Sequence, residues 1–239
     1  MNEPSNAPML PPPSGFSEWT SVWRDALTRP SDQTFARIGL SPNAKASTGL
    51  LWVFLGSLVN FFLVSLIQGR LMSQMMQNSD LGVQVAPALG GGLMAAICGA
   101  PIGALISTVL FALAIGVVQV IAKMFGGRGT FDQLIYAIAA IVAPFSIISG
   151  LLTLLSAIPV PFVGLCFGFL GLVGGLYVLA LEVMAVKGVN QFGWGQAAAS
   201  LLLPVFAIAC CVAVFVGGVL TLLAPEMMDT FNSIMTPVP

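Results

Sequence analysis

Five long apolar runs, each near the length of a bilayer crossing, divide this chain, and almost no charge interrupts them. A helix needs ~20 apolar residues to cross the ~30 Å hydrocarbon layer. Backbone in hydrocarbon has no water to bond, so such runs become helices that satisfy their own amide and carbonyl groups. Hydrophobic residues make up 57% and charged residues 7% of the 239, and the mean hydropathy is +0.98. A soluble domain carries about a quarter charged residues, so this chain lacks the polar surface to cover itself in water. The sequence predicts an all-α polytopic membrane protein with five transmembrane helices and short amphipathic helices at its N-terminus.

The first span is expected near 48–67, followed by a more polar loop over 69–92. The apolar region 91–124 would be ~50 Å as one helix, too long for a single crossing. Pro101 is its natural division, with the second span at 101–125 and a short lead-in helix at 93–99. The third span is 131–157 and ends in a tight turn at Ile158-Pro159-Val160-Pro161; the fourth is 162–184 and the fifth 196–223. Pro144 and Pro204 lie inside the third and fifth. Each should free one carbonyl and kink its helix. Three regions follow: a tail over 1–46, a five-span domain over 47–224 and a short tail over 225–239.

Residues 1–15 are rich in Pro, Ser and Asn and read as a disordered tail. From Phe16 to Leu27 the apolar positions keep helical spacing on one face, with Ser14 or Ser17 as the expected cap and Pro30 as the stop. A second short stretch after Ser31 places Phe35, Ile38 and Leu40 on one side. Two readings stand side by side. The pair lies in the headgroup layer with Phe16, Trp19 and Trp23 as interfacial anchors, or it packs on the chain's own spans.

Seven of the eight basic residues share one side if the chain threads the membrane five times. They are Arg24, Arg29, Arg37, Lys45, Lys123, Arg128 and Lys187, with Arg70 alone opposite. Basic loops mark the cytoplasmic side, so the N-terminus is expected in the cytoplasm and the C-terminus outside. The four cysteines lie in apolar runs without CxxC spacing, and there is no His. No metal, cofactor or catalytic residue is expected on these grounds. A net charge of −1 argues against nucleic acid as a partner.

The most distinctive stretch is Gly126-Gly127-Arg128-Gly129-Thr130-Phe131-Asp132-Gln133. The glycines suit a left-handed helix stop, and Thr130 with Gln133 has capping-box spacing. Asp132 falls at the positive end of the next helix. The stretch reads as a cytoplasmic turn; the functional alternative is an anion or lipid-phosphate site built on exposed N–H groups and Arg128. Gly164, Gly168, Gly171 and Gly175 share one face of the fourth span, and Gly99 and Gly103 repeat the signal more weakly. Small residues allow close helix approach, expected within the chain, with an oligomer contact as the alternative. Glu182 lies on the same face, and Asn60 and Gln119 are the other strongly polar residues deep in the spans. Asn60 and Glu182 are expected as buried polar groups with structural roles, the partner of Glu182 being Arg128, backbone or water.

The run Gly126-Gly127-Arg128-Gly129-Thr130-Phe131-Asp132-Gln133-Leu134-Ile135-Tyr136, followed by Pro144, resembles the Yip domain family of Ypt/Rab-interacting five-span membrane proteins in its prokaryotic type. Four other features agree. These are the Trp-Arg and Arg-Pro steps ahead of Thr34-Phe35, the Pro turn after the third span, the stretch from Tyr177 to Lys187-Gly188, and the helix start at Gln196-Ala197-Ala198. The resemblance covers about 20–222. It implies five spans, a cytoplasmic N-terminus and a role without catalysis. Eukaryotic members act in vesicle trafficking and contact small GTPases and each other. This chain lacks their long acidic N-terminal region and their Asp-Leu-Tyr-Gly-Pro motif, so no GTPase-facing residue carries over. The expected partners are membrane lipid and itself or other membrane proteins. The expected function is membrane organisation or protein interaction. An accessory subunit of a larger membrane complex is the alternative, and a small transporter or channel is the second.

Overall fold

The computed structural model describes residues 15–77, 88–156, 162–207, 209–211 and 214. Two short helices, α1 (Phe16–Thr28) and α2 (Asp32–Gly39), precede four long ones: α3 (Ala46–Gln77), α4 (Ala88–Met124), α5 (Phe131–Ser156) and α6 (Val163–Asn190). A last apolar helix covers Trp194–Cys211. Among the described residues all regular structure is helical, and five helices are long and apolar enough to cross a membrane.

α5 is the hub. Every residue from Leu134 to Ile141 is fully buried, as is Ala143. α3 and α6 both pack on α5, and α4 packs chiefly on α3. In lipid there is no hydrophobic drive between helices, so close approach and interhelical hydrogen bonds hold them together. Small residues supply the approach. A Cβ at Gly49 would sit 3.1 Å from the Ile135 carbonyl oxygen, and one at Gly56 would sit 2.6 Å from that of Ala143. On the facing helix, a Cβ at Gly150 would lie 3.1 Å from the Asn60 Cα. Asn60 pins the same seam: its Nδ2 donates to the Ser146 carbonyl at 2.8 Å and to Ser149 Oγ at 2.9 Å. Pro144 is buried inside α5, which continues through it.

Several sequence expectations need correction. The polar stretch after the first span is helical through Gln77, because Gln, Met, Leu and Arg are good helix formers. Pro101 does not divide the second apolar region; α4 runs unbroken from Ala88. Proline forfeits one backbone bond, which a membrane helix tolerates where neighbouring groups compensate. At ~1.5 Å per residue the 37 residues of α4 reach well beyond the hydrocarbon. α6 continues past the expected end at 184 to Asn190. Ser17 does not cap α1: the N-cap is Gly15 at φ 87°, with no side-chain bond. Ser14, the turn at 158–161 and the tail over 225–239 lie outside the described residues.

The glycine stripe of α6, expected to pack within the chain, meets almost nothing among the described residues. Among the described residues no atom comes within 4 Å of a Cβ built at Gly168, Gly171 or Gly175, and Gly164 meets only the Ser156 carbonyl at 3.9 Å. α6 instead meets α5 through Gly174, whose Cβ would lie 3.2 Å from the Phe145 ring. That position is rotated about 100° from Gly175. In α4, Gly99 is likewise open, whereas Gly103 faces the Phe61 ring at 3.4 Å.

Candidate interaction site at the basal end of the bundle

One end of the bundle gathers the ends of nearly every element, and we term it basal. The turn after α4 stops that helix in a Schellman arrangement. Gly126 takes φ 85°. Its N–H donates to the Lys123 carbonyl at 3.0 Å, and the Gly127 N–H donates to that of Ala122 at 2.9 Å. Thr130 and Gln133 then open α5 reciprocally. The Thr130 N–H donates to Gln133 Oε1 at 2.9 Å and the Gln133 N–H to Thr130 Oγ1 at 3.3 Å. Asp132, in the first turn of α5, also accepts from the Ala46 N–H at 2.9 Å, so one carboxylate serves the N-termini of α5 and α3.

The turn is locked to α6 by a buried polar knot. Asn190 and Gln119 are both buried. Gln119 Nε2 donates to the Gly129 carbonyl at 2.6 Å, Asn190 Nδ2 donates to that of Val186 at 3.2 Å, and the two amides meet at 3.4 Å. The Arg128 N–H donates to the Asn190 carbonyl at 3.1 Å. Gly127 and Gly129 let the strands of this knot touch: their Cβ atoms would fall 2.6 Å from Asn190 Oδ1 and Val189 Cγ1. The N–H groups of residues 126, 127, 128 and 130 are therefore all engaged within the chain. That leaves these four out of any anion site, while the Arg128 side chain is exposed and forms no ion pair among the described residues.

α1 and α2 dock on this end. Ser31 caps α2, accepting from the Thr34 N–H at 3.0 Å. α2 rests on α6 at Gly188, where a Cβ would collide with the Asp32 carbonyl. Lys187 Nζ reaches the Asp32 carboxylate at 2.5 Å and lies 4.3 Å from the centre of the Trp194 ring. The hydrogen bond from Lys187 holds the Asp32 carboxyl below its ordinary value of 3.8. The Tyr177 hydroxyl donates to the Leu27 carbonyl at 2.6 Å, fastening the end of α1. Trp19 and Trp23 face inward, with ring centres 5.9 and 5.8 Å from Trp52, and Trp52 lies 4.6 Å from Tyr136. Of the three aromatic anchors, Trp19 and Trp23 thus pack on the spans, while Phe16 is 70% exposed.

These contacts bring Arg24, Arg29, Arg37, Lys45, Lys123, Arg128 and Lys187 to a single end. The polar residues considered for a transport path do not meet. Asn60 bonds α5, Gln119 bonds the basal turn, and half-buried Glu182 forms no hydrogen bond among the described residues. No group of three metal-ligating side chains occurs among the described residues.

The Yip1 domain model matches residues 24–217. The chain belongs to the Yip1 domain family. The matched stretch begins at Arg24 inside α1 and runs past Trp194–Cys211, so it takes in the end of α1 and all of α2 as well as the spans. Comparison with curated proteins and with solved structures returned no match.

Sequence reasoning passed over Trp52, Asn190, Gly49, Gly56 and Gly150, and it met Tyr136 and Gly188 only as parts of the family resemblance. Two signals were present. Gly49 and Gly56 are seven residues apart, two helical turns on one face, and Ala139-x-x-x-Ala143 is the matching small-residue step on α5. Asn190 gave none, because its partners come from α4 and the basal turn, distant in sequence.

Proposed function

We propose that this Yip1 domain protein acts without catalysis, organising the membrane or its proteins through helix contacts. The outer face of α6 carries this reading. There the glycine stripe alternates with exposed Leu165, Phe169, Leu172 and Leu176, and no described residue covers it. A smooth, small-residue face in lipid suits a second membrane helix, from another copy or another protein. The family match and the five candidate spans support the membrane setting.

The basal end is the cytoplasmic one in this proposal, because seven basic residues gather there. The N-terminus is then inside and the C-terminus outside, and residues 1–46 form a cytoplasmic segment whose helices α1 and α2 dock on the spans. In a cysteine-free background, Arg128→Cys and Met75→Cys should react with impermeant reagent from opposite sides. Same-side labelling would overturn the orientation.

The function itself is tested by purifying the full chain from its host in mild detergent. We expect a stable homo-oligomer or a stoichiometric membrane partner, either of which is lost on Gly171→Leu. A monomer without partners, or an assembly indifferent to that substitution, would reject the reading. A partner complex lost on substitution specifies the accessory-subunit form.

A further inference from the structure

The aromatic stack beneath α1 contains three polar groups with nothing to bond. Trp23 Nε1, Trp52 Nε1 and the Tyr136 hydroxyl are sealed from the surface and have no hydrogen-bond partner among the described residues. Trp52 and Tyr136 are 0% exposed. The three belong to one cluster: Trp52 touches Trp23 edge-on at 5.8 Å between ring centres and Tyr136 at 4.6 Å. Buried polar groups are nearly always partnered, and an orphan bears its whole desolvation penalty. Three orphans on the rings of one stack call for a partner that the described residues do not supply.

The chemistry of that partner follows from the donors. An indole N–H can only donate, while a phenol can donate or accept. What is absent is an oxygen acceptor. The depth suits one. Trp52 is the seventh residue of α3 and Tyr136 the sixth of α5, about 8–9 Å inside each helix start at ~1.5 Å per residue. Rings with one polar tip favour this wet edge of the hydrocarbon.

We infer that Trp23, Trp52 and Tyr136 form a binding site for a small oxygen acceptor from outside the chain, supplied by water or by a phospholipid ester carbonyl. A bound water offers two lone pairs to the two indole N–H groups and a hydrogen to the phenol oxygen. An ester carbonyl offers two lone pairs alone. Water ties α1 to α3 and α5, and an ester carbonyl ties two of the three, at a point where ring packing by itself gives no polar bond.

The test uses the full chain, with tryptophan indoles labelled with nitrogen-15, in phosphatidylcholine nanodiscs. Cross-relaxation is read from the Nε1–H of Trp23 and Trp52. Peaks to water identify the hydrated form, and peaks to lipid glycerol protons identify the ester form. Peaks to neither overturn the site. Tyr136→Phe supplies a second reading. If the hydroxyl is bonded, Tm should fall by a few degrees, on the order expected for one lost buried hydrogen bond. An unchanged or raised Tm, as deletion of a truly orphaned hydroxyl gives, overturns the three-group site.

Discussion

The α3–α5 seam and the outer face of α6 carry similar small residues at similar helical spacings, yet among the described residues only the seam is closed. At the seam, Gly49 and Gly56 face the backbone of Ile135, Tyr136 and Ala143. On α6, Gly168, Gly171 and Gly175 face no described atom. The difference lies on the opposite wall. α5 presents Ala139, Ala143 and Gly150 to α3, so two smooth surfaces meet and Asn60 bolts them. α6 offers one smooth surface and turns Gly174, Leu181 and Ala185 towards the bundle instead. A glycine stripe thus records that a backbone can be approached; it does not say by whom.

The sharpest way to break this comparison is to put the same bulk on both faces. Gly56→Leu should cost about 3 kcal/mol or more, because its Cβ meets backbone that cannot rotate away. Gly171→Leu should change the stability of the single chain by less than about 0.5 kcal/mol. Thermal unfolding of each in detergent measures both; equal losses would show that the α6 face is covered in the folded chain. Gly129→Ala probes the basal turn, where Val189 crowds the added methyl, and should cost about 1–3 kcal/mol on the same assay. Asn60→Ala removes the bolt but keeps the smooth walls. Its loss should be about 0.6–1.7 kcal/mol, the range for interhelical hydrogen bonds in lipid, and a larger loss would make the bolt rather than the close approach the main bond.

The smallest effect is expected at the docked helices. Asp32 has its folded-state value lowered by Lys187, so the pair contributes fully above the ordinary aspartate value of 3.8. That contribution vanishes as pH falls through the lowered folded value. A cysteine at Arg37 should therefore react at an unchanged rate through neutral and mildly acid pH, and faster only under strong acid. Asp32→Asn should give a slight increase at every pH. No response to either change would mean that α2 is held by Gly188 and the aromatic stack alone.

What the sequence determined by itself was the solvent, the helices and the end at which charge collects. Apolar length and the shortage of charge leave the chain no stable form but membrane-length helices, and the residues at 126–133 write a helix stop and start in purely local chemistry. Even there, local signals misplaced boundaries: Pro101 sits inside α4, and α3 outruns its apolar stretch to Gln77. Tertiary structure alone decided which surfaces pair. Glycines at helical spacing look alike before folding, and whether a face closes depends on a partner wall far away in the chain. The same holds for Asn190 with Gln119, Asp32 with Lys187, and Trp52 with Tyr136. Each is a contact between residues that share no local signal, made only when the bundle brings their helices to one end.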